Sequence, residues 1–115
     1  MVKGKTIVGL TESVTVIGPA GKRKRITARI DTGATKSSVD AKLAAELALG
    51  PIIKTKLIKS ASGNKMRPVL KAEIKIAKKN LKAEFTVADR SHLRYRVLVG
   101  QNILKKGFLI DPNKK

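Results

Sequence analysis

Ile26-Thr27-Ala28-Arg29-Ile30-Asp31-Thr32-Gly33-Ala34-Thr35 is the stretch on which the reading of this chain turns. Ile26, Ala28 and Ile30 alternate with Thr27 and Arg29, the period-two pattern of a half-buried strand. The strand runs out on a carboxylate, a hydroxyl and a glycine, so it delivers an acid at its end into a turn. Gly33 opens backbone conformations closed to other residues and lets a ligand's backbone come near. The same residue types also make a good plain turn. Taken alone, the stretch reads either way.

Upstream, Thr6 to Leu10 is a short apolar edge strand and Val14 to Ile17 a second strand. Gly18-Pro19-Ala20-Gly21 is a strong turn signal, and Lys22-Arg23-Lys24-Arg25 leads back into the Ile26 strand. Residues 13–30 therefore read as a hairpin with a basic shoulder, either a nucleic-acid patch or a solvated turn that blunts an edge. Downstream of Ala34 the pattern predicts a helix. Ser37 or Ser38 caps it, Asp40 sits in its first turn, and Gly50-Pro51 stops it. Val39, Leu43 and Leu47 form its buried face, with Ala44 and Ala48 beside them.

From Ile52 onward the chain reads as strands. Ile52 to Lys59 enters the polar turn Ser60-Ala61-Ser62-Gly63-Asn64, and Met66 begins the return. Leu70, Ala72, Ile74 and Ile76 alternate with polar residues, Lys78-Lys79-Asn80 turns the chain, and Leu81, Ala83, Phe85 and Val87 alternate again. These are antiparallel hairpins with one buried face. Short strands, frequent turns and one inserted helix predict a mostly β, small closed barrel.

The 115 residues make one domain, residues 1–115, with no repeat or internal boundary. Two Phe, one Tyr and no Trp leave an aliphatic core. No Cys means no disulfide and no thiolate chemistry. No apolar run approaches the roughly 18 residues of a membrane span, and no signal-peptide core follows Met1, so a soluble, cytoplasmic protein is expected. Lys and Arg number 26 against 8 Asp and Glu, a net charge of +18. Such a charge favours polyanionic partners, whether nucleic acid, ribosome, anionic membrane surface or acidic peptide; a Lys-rich proteome bias would produce it too.

Zinc hydrolysis usually needs three protein ligands, typically including His. Without Cys or His-Glu-x-x-His, and with His92 the single histidine, no metal is expected, and His92 reads as an ordinary loop residue. No phosphate loop and no Gly-x-Ser-x-Gly motif appear, so no cofactor is expected. Carboxylate chemistry remains. Two aspartates about 3 Å apart cannot both ionise, so one takes a proton from water while its neighbour donates one to the substrate carbonyl. The chain holds one Asp-Thr-Gly; Asp40, Asp89 and Asp111 lack the following Thr-Gly or Ser-Gly. It can complete such a dyad only with a second copy of itself about a two-fold axis.

Near the C-terminus stands Val97-Leu98-Val99-Gly100-Gln101-Asn102-Ile103-Leu104, then Phe108-Leu109-Ile110: apolar strand, glycine, short helical turn, closing strand. An apolar strand into Asp-Thr-Gly-Ala early, with apolar-apolar-Gly-x-Asn-apolar-Leu late, resembles the retropepsin-like aspartic peptidases. Ser37-Ser38, Ser60-Ala61-Ser62-Gly63, Arg67-Pro68-Val69 and Asp111-Pro112 narrow the likeness to small archaeal and bacterial proteins labelled ATP-dependent zinc peptidases. The resemblance spans about Ile7 to Pro112. It implies the acid-protease barrel, a short C-terminal helix, and an endopeptidase acting as a homodimer on peptide or protein substrates. Asp31 would be the catalytic acid and base. Thr32 would bond across the two-fold axis, Gly33 would donate its N–H to the carboxylate, and Ala34 would leave room for substrate. Ser60, Ala61, Ser62, Gly63 and Asn64 would form the flap. Gly100, Gln101 and Asn102 match the late structural motif, except that retropepsin-like chains usually carry Arg where Gln101 stands. Some relatives occur beside ligases that add glutamate tails, which implies an acidic, Glu-rich substrate suited to the +18 charge. The alternative is a basic, non-catalytic β-barrel binding RNA or ribosome. Against it, Phe85 and Phe108 fit core positions, which leaves no aromatic platform for bases.

Overall fold

The structure is a computed structural model that describes residues 4–61 and 63–114. Strands β2 (Thr11–Ile17) and β3 (Arg23–Ile30) pair antiparallel through the Gly18–Lys22 turn, where Gly21 takes φ +91°. Strands β5 (Ile52–Ser60), β6 (Gly63–Ile76) and β7 (Lys79–Ala88) form two further antiparallel hairpins. Between them lie β4 (Ser37–Asp40) and the helix α1 (Ala41–Glu46). The chain finishes with β8 (Val97–Val99), α2 (Gln101–Leu104) and β9 (Phe108–Ile110), and β9 pairs in parallel with β1 (Thr6–Val8).

The sheet order is β2-β3-β8-β4-β7-β6-β5, and β2 also pairs with β6. That extra pairing closes six strands into a barrel and leaves β5 outside it, bonded to β6 alone. Closure removes the open edges that would otherwise invite a foreign strand. Alternate residues of each strand fill the interior: Val14 and Val16, Ala28 and Ile30, Ile74 and Ile76, Ala83 and Phe85, Val97 and Val99. Burying each Val, Ile or Phe side chain among them contributes about 1.5–3 kcal/mol against chain entropy. Leu43 and Leu47 cover the core from α1, and Ile103 and Leu104 from α2. Among the described residues no helix is long and apolar enough to cross a membrane.

The barrel and its two small helices match the expected fold class; several local expectations do not survive. Residues 37–40 are a strand. β4 lies between β7, parallel, and β8, antiparallel, and this pairing on both sides overrides helix signals in Ser-Ser-Val-Asp. Val39 is thus a strand residue, while Leu43 and Leu47 keep their buried face. Neither serine caps α1. Asp40 does, accepting the Leu43 N–H at 3.3 Å. Ala48 is exposed with φ +51°, past the helix end. β6 begins at Gly63 rather than Met66, and its turn to β7 is Ala77-Lys78, so Lys79 and Asn80 already pair.

Candidate active site

Asp31 is the first residue beyond β3. Its own N–H donates to Val99 O at 2.9 Å, and the preceding Ile30 N–H to Leu10 O at 3.0 Å, so the strand end is held on both flanks. The Gly33 N–H donates to Asp31 Oδ1 at 2.9 Å and the Ala34 N–H to Asp31 O at 3.3 Å, making a tight loop with a partly exposed carboxylate. The bond to Gly33 orients the carboxylate through one of its two oxygens.

That loop rests on the chain's late segment. Gln101 N–H donates to Ala34 O at 2.8 Å and Asn102 N–H to Thr35 O at 3.2 Å. The Gln101 side chain donates Nε2–H to Thr32 O at 2.7 Å, so the residue standing where Arg was expected braces the loop within its own chain. Asn102 Oδ1 accepts both the N–H and the hydroxyl of Ser37, at 2.9 and 2.8 Å, and its amide donates to Glu84 O at 2.9 Å. The Ser37 hydroxyl oxygen in turn accepts the Gly100 N–H at 2.9 Å. Gly100 has to be glycine for space: a Cβ there would stand 2.5 Å from Lys36 O and 2.8 Å from Ala34 O.

A second buried cluster positions the loop between β7 and β8. Asp40 is 1% exposed. Its Oδ1 accepts the Arg90 N–H at 2.8 Å, and its Oδ2 meets Arg96 Nη2 at 3.1 Å as well as the Leu43 N–H. Burial pushes this carboxyl upward, but those hydrogen bonds and the Arg96 charge outweigh it and hold the group below its ordinary value. Arg90 Nε–H donates to Tyr95 O at 2.9 Å, which fixes the guanidinium. Burial lowers the Arg90 pKa; the charges of Arg29 and Arg67 act the same way, and those of Asp40 and Asp31 oppose them.

A cleft of about 570 Å³ runs beside the Asp31 loop. Gly33 to Lys36 form one wall, Lys56 to Lys59 of β5 another, and Arg67 and Arg90 close it. Glu84 pairs with Lys36 at 3.5 Å and Lys54 at 3.2 Å, tying the loop to β5. The Lys54 ammonium beside it is the main reason the Glu84 carboxyl titrates below its usual range. A neighbouring hollow of about 450 Å³ holds Asp31 itself with Arg29, Arg90, Arg94 and Tyr95.

The structure therefore brings Asp31 to Ala34 together with Gly100 to Asn102. The β5–β6 hairpin overhangs the same cleft through its shaft. At its tip Ser60 pairs with Gly63, Ala61 is exposed, and Asn64 pairs with Lys59, while Ser62 lies outside the described residues. His92 is exposed in the loop after β7. Arg29 and Arg90 escaped the sequence reading as site residues, and Arg67 entered it only within the Arg67-Pro68-Val69 motif: they sit on three separate segments, and neither periodicity nor spacing marks residues that only the closed barrel brings together. Among the described residues, no group of His, Cys, Asp and Glu side chains gathers as a metal site.

A family model described as RimB-like, retropepsin-like aspartic endopeptidase RimB, matches residues 42–115, a span that begins beyond Asp31. Among solved structures the chain is similar to protein Lpg0085 of Legionella pneumophila, described as of unknown function. The two are 19% identical over 96% of this chain and 95% of that one, with a TM-score of 0.66. It is similar to the EIAV protease complexed with an inhibitor, 22% identical over 83% of this chain and 84% of that one, TM-score 0.65. The simian foamy virus protease is 20% identical over 83% and 91%, TM-score 0.60. At these identities the likeness is one of fold. A protein from Desulfotalea psychrophila described as a probable alpha-L-glutamate ligase is 33% identical over 63 residues; the match covers 54% of this chain and 14% of that protein's length. The narrower likeness to zinc peptidases finds no support, since the matching family is one of aspartic endopeptidases.

Proposed function

Because the chain belongs to the RimB-like family of retropepsin-like aspartic endopeptidases, we propose that it hydrolyses peptide bonds with a dyad made of Asp31 from two copies. The observation that carries this reading is the Asp31 loop, held from below by Val99 and Gln101 and opening onto a cleft. In the proposed step the ionised aspartate takes a proton from water as the water oxygen attacks the carbonyl carbon. The protonated aspartate gives its proton to the carbonyl oxygen. Collapse of the tetrahedral adduct then breaks the C–N bond and the amine leaves with a proton. Since the singly protonated pair is the working form, the rate rises and falls with pH, and both limbs belong to the pair. Thr32 bonds across the axis, Ala34 leaves the cleft floor low, and residues 60–64 serve as the flap.

The proposed substrates are acidic, Glu-rich peptides. Lys36, Lys56, Lys59, Arg67 and Arg90 line the cleft with no carboxylate in the lining, and a similar stretch occurs in a protein described as a glutamate ligase. The test is digestion of a mixed peptide library by the wild type and by Asp31→Asn, read by mass spectrometry. The wild type is expected to cut and the folded variant to be inert. A folded Asp31→Asn chain that cuts at the wild-type rate would move the chemistry elsewhere.

A further inference from the structure

We infer that Arg90, supported by Arg67 and Arg29, is the specificity-determining group that binds a substrate carboxylate directly beside the scissile bond. The inference rests on the peptidase reading and assigns its charge preference to one place. Arg90 lines both the cleft and the hollow that holds Asp31, so it stands on the ridge between them. Its side chain therefore borders the hollow that a chain reaching Asp31 would enter.

Three observations set Arg90 apart from the many surface cations. Its Nε is committed to Tyr95 O and its backbone N–H to buried Asp40, so the side chain is fixed before any substrate arrives. Its two terminal nitrogens have no carboxylate within ion-pairing distance among the described residues, whereas Arg96 nearby is paired with Asp40 and Glu46. It is also partly buried, and the like charges of Arg29 and Arg67 act on it against the opposite charges of Asp40 and Asp31. Clustered guanidinium groups repel one another and lose solvation, and a bound carboxylate relieves both costs. A planar fork with both ends open suits a bidentate carboxylate better than an ammonium would. The carboxylate could come from an acidic side chain or from a chain terminus, and the same fork reads either.

The test uses the full chain and peptides sharing one scissile bond. One carries Glu on both sides of the bond with blocked ends, one carries Gln there with blocked ends, and one carries Gln with a free C-terminal carboxylate one residue past the bond. The expected result is that kcat/KM for the Glu peptide exceeds that for the blocked Gln peptide by about tenfold or more, as for a hydrogen bond to a charged group. Arg90→Gln and Arg67→Gln should each pull that ratio toward one, mainly through KM, and Arg90→Lys should recover part of it. Lys75→Gln, on the outer side of β6, should leave the ratio alone. A gain confined to the free-acid peptide would identify the terminus as the carboxylate read. Proportional losses on all peptides would make Arg90 a brace for Tyr95 and overturn the inference, as would an unchanged ratio in both glutamine variants. If nothing is cleaved, the peptidase reading falls. Anisotropy of labelled Glu and Gln peptides with Asp31→Asn then decides this inference separately, and equal affinities at moderate salt would overturn it.

Discussion

Asp40 has the most partners of any carboxylate described, and its removal should be felt first in stability. Asp40→Asn keeps the shape but turns a donor-bearing amide toward the Arg90 N–H or toward Arg96, and is expected to cost about 2–3 kcal/mol at neutral pH. The folded-state pKa lies below the ordinary 3.8. The stabilisation is therefore complete above that unfolded value and fades as pH falls through the lower folded one. Melting temperature against pH should drop more steeply below about pH 4 in the wild type than in Asp40→Asn; parallel curves would deny the linkage. At the same scale, Gln101→Ala deletes one bond to Thr32 O and should lower peptidase rate with a loss of about 0.5–1.5 kcal/mol. Gly100→Ala drives a methyl into two backbone carbonyls and should cost more than that in melting experiments, along with activity. The strand end and turn at Asp31-Thr32-Gly33 were legible locally, whereas their reading as a site, together with the Gly100 motif, came from the family resemblance. Arg90 was not legible, since its importance comes from Asp40 and Tyr95, which only tertiary contact brings to it.

At the level of elements, the alternating segments declared themselves. β3 over Ile26–Ile30, β6 over Leu70–Ile76 and β7 over Leu81–Phe85 turn alternate residues inward, and the turn before β3 was carried by glycine and proline. What could not be read was partnership. β4 is four residues long and owes its strand state to β7 and β8. The parallel pairs β3–β8, β4–β7 and β1–β9 join segments far apart in sequence and leave no mark in periodicity. In the seven-stranded sheet β5 is bonded to β6 alone, and it carries exposed Ile52, Ile53 and Leu57. Its amides should exchange with solvent before those of β6 and β7, and a bound peptide should slow them. Hydrogen exchange with mass detection checks this. Exchange from β5 as slow as from β7 would mean that the hairpin is no flap.

For the molecule as a whole, charge bears on the proposed assembly. Two chains at +18 repel, so a dimer built around Asp31 should tighten from low to moderate salt as repulsion is screened. Sedimentation across that range, beside activity, separates the possibilities: an active species that stays monomeric throughout would remove the shared dyad. The same salt should erode the advantage of Glu-rich peptides once the dimer is saturated. Composition revealed the sign and size of this field, but only the folded cleft shows where Lys56, Lys59, Arg67 and Arg90 concentrate it.

The bonds from Val99, Gln101 and Asn102 to the Asp31 loop also set a timetable for biosynthesis. A ribosome makes the Asp-Thr-Gly motif first and its supports some seventy positions later, about 4–14 s apart at ordinary elongation rates. During that interval the nascent chain carries the motif without the floor that shapes it. Contacts this distant in sequence form late and together. The peptidase activity proposed for this chain would thus be withheld from a half-made polypeptide by the order of its own residues.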